Sequence, residues 1–159
     1  MSEDLVYALE PVPQPPARTV FLAGPVPRDA GAASWHEEAV SEIRRTGFRG
    51  CVVVPRSRPD ALIVDPDEPR RWEHDAMSRS DALLFWIPRV LWTLPALTSN
   101  LEWGVWHDSG KAVLGAPPSA PKMSYLRFYA EIGEAPQATS LAEAARIAVE
   151  LALGRSVGG

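Results

Sequence analysis

Glu102 is the acidic residue in the stretch TSNLEWGVW, residues 98–106, with Leu101 and Trp103 beside it. Two chemistries fit such a position. Ser99-x-x-Glu102 has the spacing of a capping box, in which a hydroxyl and a carboxylate satisfy the free amides that open a helix. Ser34-x-x-Glu37 and Ser140-x-x-Glu143 repeat that spacing, so the chain uses it as punctuation. The surroundings of Glu102 are different, because a long Trp-containing loop precedes it and Trp103 and Trp106 follow. At a helix start the backbone dipole would keep its carboxylate ionised, as a nucleophile requires. Most carboxylate chemistry needs a second acid, and RRWEHDAM at 70–77 offers Glu73, His74 and Asp75. Such residues on an amphipathic helix are usually solvated. If two carboxylates converge on one cleft, one can attack a sugar carbon while the other handles the leaving-group proton.

Other chemistries have less support. His36, His74 and His107 stand alone, without the paired spacing of a metal site, so no metal is expected. There is no GxGxxG, no P-loop and no nucleophile elbow, and no cofactor is expected either. The single cysteine, Cys51, lies in the apolar run CVVVP, which suits a buried and inert thiol. Sixteen Lys and Arg against twenty Asp and Glu give a net charge of −4 without a long basic run, which argues against polymeric nucleic acid as a partner. No apolar stretch approaches membrane-spanning length and no signal pattern opens the chain, so a cytoplasmic protein without a membrane partner is expected. Four of the six Trp (Trp86, Trp92, Trp103 and Trp106) crowd one region, as in a pocket wall or a subunit interface.

These residues must be held by elements that the hydrophobic pattern reveals. The segment 1–18 contains EPVPQPPAR and reads as an extended proline-rich arm. From there 19–154 reads as one domain, with 155–159 a flexible tail. Apolar runs at 19–25, 51–55, 82–88 and 112–117 predict buried strands, and PQATS a short fifth. Amphipathic stretches predict helices at 34–47, from Asp65-Pro66 to about Ser80, at 100–110, around KMSYLRFYAEIG and at 141–154. Strand–helix alternation with continuously apolar strands means a parallel sheet covered on both faces. The fold class is therefore α/β, a flavodoxin-like or Rossmann-like three-layer fold with about five strands.

Ligands of such folds bind outside the carboxyl ends of the strands. The loops there are AGPVPRDAGAAS, PRSRPD, PRVLWTLPALTSN and APPSAPKMSY, and Glu102 opens the helix after the third. Asp81 precedes the third strand and belongs to the opposite edge, where its role is structural.

In order along the chain, VFLAGP, then SDALLFWIPR, then TSNLEWGVWHDSGKAVLGAP resemble the nucleoside 2-deoxyribosyltransferase-like family, from about Thr19 to Leu126. The resemblance implies a flavodoxin-like domain that cuts the N-glycosidic bond of a nucleoside and needs no cofactor. It places the nucleophile at Glu102, which forms a glycosyl-enzyme intermediate that a second base or water resolves. Capping and attack are compatible, since one carboxylate oxygen can be oriented while the other reacts. The acidic partner that protonates the base falls at Glu73, where relatives tend to carry Asp. Asn100, with Thr98, matches the turn that binds sugar hydroxyls. Phe21, Gly24 and Pro25 match the pocket floor, and Trp86, Trp92 and Trp103 are candidate stacking surfaces. Ala96 stands where some deoxyribosyltransferases have Asp, which bears on transfer against hydrolysis. The implied partners are nucleosides and free nucleobases, and a homo-oligomer whose active sites are shared, with Met123, Ser124 and Tyr125 where a neighbour would contribute. Two other readings are an N-glycoside hydrolase of nucleoside monophosphates or NAD, with Arg28 and the Gly31–Ser34 turn at the phosphate, and a non-catalytic nucleotide-binding module.

Overall fold

Short runs rich in Val, Leu, Phe and Ala form strands because side chains on both faces leave water, and the intervening amphipathic segments supply the covering layers. The computed structural model describes residues 4–27, 34–58, 65 and 67–158. Its elements are β1 (Leu5–Tyr7), β2 (Thr19–Ala23), α1 (Trp35–Arg45), β3 (Cys51–Val54), α2 (Glu68–Arg79), β4 (Ala82–Trp86), α3 (Leu97–Trp106), β5 (Ala112–Gly115), α4 (Ser124–Ile132), β6 (Gln137–Ala138) and α5 (Leu141–Ala152). The six strands lie in the order β1-β3-β2-β4-β5-β6 and every pair is parallel. Central register places Phe21 beside Val53 and Leu83.

Helices α1 and α5 cover one face, over a core that contains Trp35, Ile43, Leu84, Trp86 and Ile147. Helices α2, α3 and α4 cover the other, over Phe21, Met77, Phe85, Trp103 and Leu126. This is the expected three-layer flavodoxin-like arrangement, with six strands where about five were expected. The sixth is β1. Its three residues pair with β3 at the sheet edge, inside the stretch read as an arm, and the prolines that masked it begin only at Pro11. The indole Nε1–H of Trp72 on α2 donates to the Glu10 carbonyl at 2.8 Å and ties this segment to the domain. Asp81 lies at the amino end of β4 as expected, accepting from the Thr19 amide at 2.8 Å and pairing with Arg18 at 3.1 Å. Burial pushes the Cys51 thiol up to about 11, so it stays protonated. Among the described residues no helix is long and apolar enough to cross a membrane.

Two helix starts differ from the sequence reading. Helix α2 opens at Glu68, with Pro69 in its first turn; Asp65 lies outside it, accepting from the Asp67 amide and pairing with Arg71 at 2.7 Å. Pro66 lies outside the described residues. Helix α3 opens at Leu97, not Asn100. Ala96 takes a left-handed conformation (φ 57°) after Pro95, and the Asn100 amide already bonds the Ala96 carbonyl at 3.2 Å. Ser99 therefore lies within the first turn and is no N-cap, and Glu102 reaches the second turn. Ser34 does cap α1, accepting from the His36 amide, and the capping pair operates at Ser140, which accepts from the Glu143 amide at 3.2 Å.

The chain crosses from one side of β2 to the other between β3 and β4, so the strand order reverses at β2 and β4. A crevice opens outside their carboxyl ends, between the loop after β2 and the loop after β4. Gly24 closes its floor by direct approach of backbones. A Cβ there would lie 2.2 Å from the Trp86 carbonyl oxygen and 2.7 Å from the Trp35 ring. Gly24→Ala should cost about 3 kcal/mol, read as a lower urea midpoint with an unchanged slope.

Candidate active site

The loop after β4 decides the shape of this crevice. Val90 and Leu94 form an antiparallel bridge, with bonds of 3.1 and 2.7 Å, which folds the long segment into a tight excursion carrying Trp92 at its tip. Leu94, Pro95 and Ala96 then turn sharply into α3. The cleft left between this turn and the Gly24-Pro25-Val26 loop has a volume of about 380 Å³. Pro55, just past β3, closes one side, and the polar lining is supplied by Glu73, Thr93, Thr98, Ser99 and Glu102.

Glu102 and Glu73 thus come from two helices onto one cleft. Thr98 and Glu102, one helical turn apart on α3, share the face toward α2, and both reappear with Glu73 in a groove of about 250 Å³ between the helices. That groove is otherwise largely apolar, with Met77, Leu101, Val105 and Trp106 in its walls. The carboxylates therefore stand at the partition between a polar cleft and an apolar groove. Both are half-buried.

That placement sets their protonation. Burial, followed by the neighbouring charge of Glu73, pushes the Glu102 carboxyl up to about 8. Burial likewise holds the Glu73 carboxyl above its ordinary range. The expectation that a helix-end dipole would keep Glu102 ionised is corrected here. The dipole acts within the first turn, Glu102 lies in the second, and desolvation beside another carboxylate outweighs what remains. With a value of about 8, the Glu102 carboxyl keeps its proton near neutrality. A pair of this kind can attack with one member and donate a proton from the other.

The remaining expected residues divide. Gly24, Pro25 and Thr98 line the cleft with the two glutamates. Phe21 is fully buried in the core beneath the strand ends and does not line it. Trp86 packs on the opposite side of the sheet, against Gly115, where a Cβ would meet its ring at 2.8 Å. Trp103 is buried against Phe85 at 5.0 Å between ring centroids, and its indole N–H donates to the Leu126 carbonyl at 2.9 Å. Asn100 points away from the cleft and accepts from Arg89. Trp92 is 94% exposed. None of these aromatic rings lines the carboxylate cleft. Ala96 does, and brings no carboxylate. Arg28 and Gly31 lie outside the described residues. Sequence reasoning missed Thr93, Ser99, Val26 and Pro55, whose position depends on the Val90–Leu94 bridge and the early start of α3.

The raised affinity of Glu102 for a proton has a consequence for stability. A carboxyl whose pKa is about 8 in the folded chain and ordinary in the unfolded chain stabilises the fold at acid pH. That contribution is lost as pH rises from the ordinary carboxylate range through about 8. Glu102→Gln should therefore raise the Tm at pH 8.5 and leave it nearly unchanged at pH 5. The gain should be on the order of 1–2 kcal/mol after solvent screening of a half-buried group. Equal Tm shifts at both pH values would show that Glu102 is not desolvated.

The sequence profile of the nucleoside 2-deoxyribosyltransferase-like family matches residues 17–120, which run from the segment before β2 through the loop after β5. No curated protein matches the chain. The matched span carries the crevice at the strand reversal and both glutamates. On that match the chain belongs to the nucleoside 2-deoxyribosyltransferase-like family.

Proposed function

We propose that this protein cleaves the N-glycosidic bond of nucleosides or deoxynucleosides through Glu102 and passes the sugar to a second base. The observation that carries the reading is the placement of Glu102 and Glu73 on one cleft, both with raised proton affinity. Near neutrality Glu102 is the member that holds a proton, so attack follows transfer of that proton to Glu73, which leaves Glu102 ionised and Glu73 protonated. A Glu102 oxygen attacks the anomeric carbon as the bond to the base nitrogen breaks, and Glu73 gives its proton to that nitrogen. The product is a glycosyl ester on Glu102 and a free base. In the return step a second base attacks the same carbon, the ester bond breaks, and Glu73 takes up the proton released by the incoming nitrogen. Water in place of that base completes a hydrolysis. The hydroxyls of Thr93 and Thr98 are the donors and acceptors at hand for the sugar. The chain would serve nucleoside salvage in the cytoplasm.

A shared proton gives the reaction a bell-shaped pH dependence. kcat/KM should fall at acid pH as the pair takes a second proton, and fall again above about 8 as it loses its last one. Glu102→Ala should lower turnover by at least ~10³-fold, the order expected when a covalent nucleophile is removed. The assay is chromatographic, with deoxynucleosides incubated alone and with a second free base. A new nucleoside that appears only with the added base identifies a transferase, and base released regardless identifies a hydrolase. No turnover across deoxynucleosides, monophosphates and NAD would leave a binding module.

The same reading includes a homo-oligomer. Leu97, Leu101 and Val105 form an exposed apolar stripe along α3, and Tyr125, Phe128 and Ile132 another along neighbouring α4. Leu101 is 74% exposed and Tyr125 76%. Exposed apolar stripes of this kind are the usual mark of an interface, and the α3 stripe borders the groove that holds the carboxylates. Val105→Glu together with Phe128→Glu should shift light-scattering mass from oligomer to monomer and lower activity. A wild-type chain that is monomeric at micromolar concentration would exclude the shared site.

A further inference from the structure

Arg89 follows β4 by three residues and is 5% exposed. Burial works against its charge. Yet the groups that receive its hydrogen bonds are all neutral. One terminal nitrogen donates to the Lys122 carbonyl at 2.7 Å and, at 3.5 Å, to that of Pro121. The other donates to Asn100 Oδ1, and Nε has no partner among the described residues. A guanidinium held out of water without a carboxylate is costly, and the cost is retained where geometry is gained.

The geometry gained concerns α3. This helix has no side-chain cap, no acidic residue in its first turn, and a left-handed Ala96 as its hinge to the loop. Its rotation about its own axis must be fixed by other contacts. Asn100 is two residues before Glu102, and two residues turn a helix by roughly 200°. A bond to Asn100 from the β5 side therefore sets the direction in which Glu102 leaves the other side. Trp103, one turn beyond Asn100 on the same side, reinforces this through its bond to the Leu126 carbonyl. Lys122, whose carbonyl receives the other arm of the fork, is itself left-handed (φ 57°) and belongs to the loop between β5 and α4. Arg89 thus joins the end of β4, the first turn of α3 and the approach to α4 at one point.

We propose that Arg89 is a positioning residue, which fixes the rotation of α3 through Asn100 and so aims Glu102 at the cleft beside Glu73. The inference rests on the proposed function only for its effect on turnover. The aim of Glu102 is measurable without any substrate. The groups that bear on Glu102 are Glu73 across the cleft and Arg70 and His74 along the groove, and none of them is altered by changing Arg89.

The test compares wild type, Arg89→Met, Asn100→Leu and the double variant. Carbon-13 NMR titration of the Glu102 carboxyl and deoxynucleoside turnover are the two readouts. In the single variants the Glu102 midpoint should move down from about 8 toward the ordinary carboxylate range as the side chain swings into water. kcat should fall roughly 10²-fold, as for a small misplacement of a reacting group, with KM changed far less. The double variant should be no worse than either single one. Should Arg89→Met not fold, Asn100→Leu removes the same bond from the other end and carries the comparison. A lowered Tm with an unshifted Glu102 midpoint would overturn the proposal and leave Arg89 a plain structural residue, as would single effects that simply add. If wild type turns over no nucleoside, the proposed function fails, and the NMR titration still decides on Arg89.

Discussion

Two carboxyl groups held side by side at the edge of water are the constraint around which this domain is arranged. A lone half-buried glutamate could turn outward and ionise. Glu102 cannot do so freely, because it stands between a polar cleft and an apolar groove and faces a second carboxyl from another helix. That arrangement has an energetic cost, which appears as the raised proton affinity of both carboxyls. The surrounding structure must therefore keep two helices from relaxing apart.

That task is met by anchors outside the cleft. The C-terminal end of α2 is held by Lys111, whose ammonium donates at 2.8 Å to the carbonyls of Met77, Ser78 and Ser80 and lies 5.1 Å from the Trp106 ring at the end of α3. One side chain thus links the helix that carries Glu73 to the helix that carries Glu102. At the other end of α3, Arg89 and Trp103 fasten the first turns to the β5–α4 region. The sheet beneath provides the rigid floor, and Gly24 lets the ends of β2 and β4 close to backbone contact below the cleft. Polar groups that look capable of binding a sugar or a base, such as Asn100 and the indole of Trp103, are instead consumed in holding α3.

The layered parallel fold could be read from the chain because its signals are local and strong. Strands such as ALLFW at 82–86 are apolar at every position, and helices such as 141–152 carry clear periodicity and a working Ser140 cap. Glu102 and Glu73 were legible as candidates from residue type, loop context and motif. The start of α3 was not, because Ser99-x-x-Glu102 imitates a cap, whereas the turn is made by Pro95 and a left-handed Ala96 that no local pattern marks. The three residues of β1 were hidden by the prolines after them. Trp86 was legible as a neighbour of the strand ends but not as to side, since a strand's side chains alternate between faces and the face is assigned only when the helices are packed; Phe21 lies on the side of α2 and α3 but too deep in the core to reach the cleft.

What the sequence by itself determined, then, is the order of strands and helices, the loops that meet at the carboxyl edge, and the residue types available for chemistry there. Hydrophobic periodicity and turn chemistry act between near neighbours, so they survive in one dimension. Only the tertiary structure decided that Glu73 and Glu102 share a cleft, that burial raises both carboxyls, and that Arg89 and Asn100 spend their polar groups on each other. Desolvation and long-range contact depend on which surfaces exclude water together, and residues 29 positions apart acquire that relation only when α2 and α3 pack side by side on the sheet.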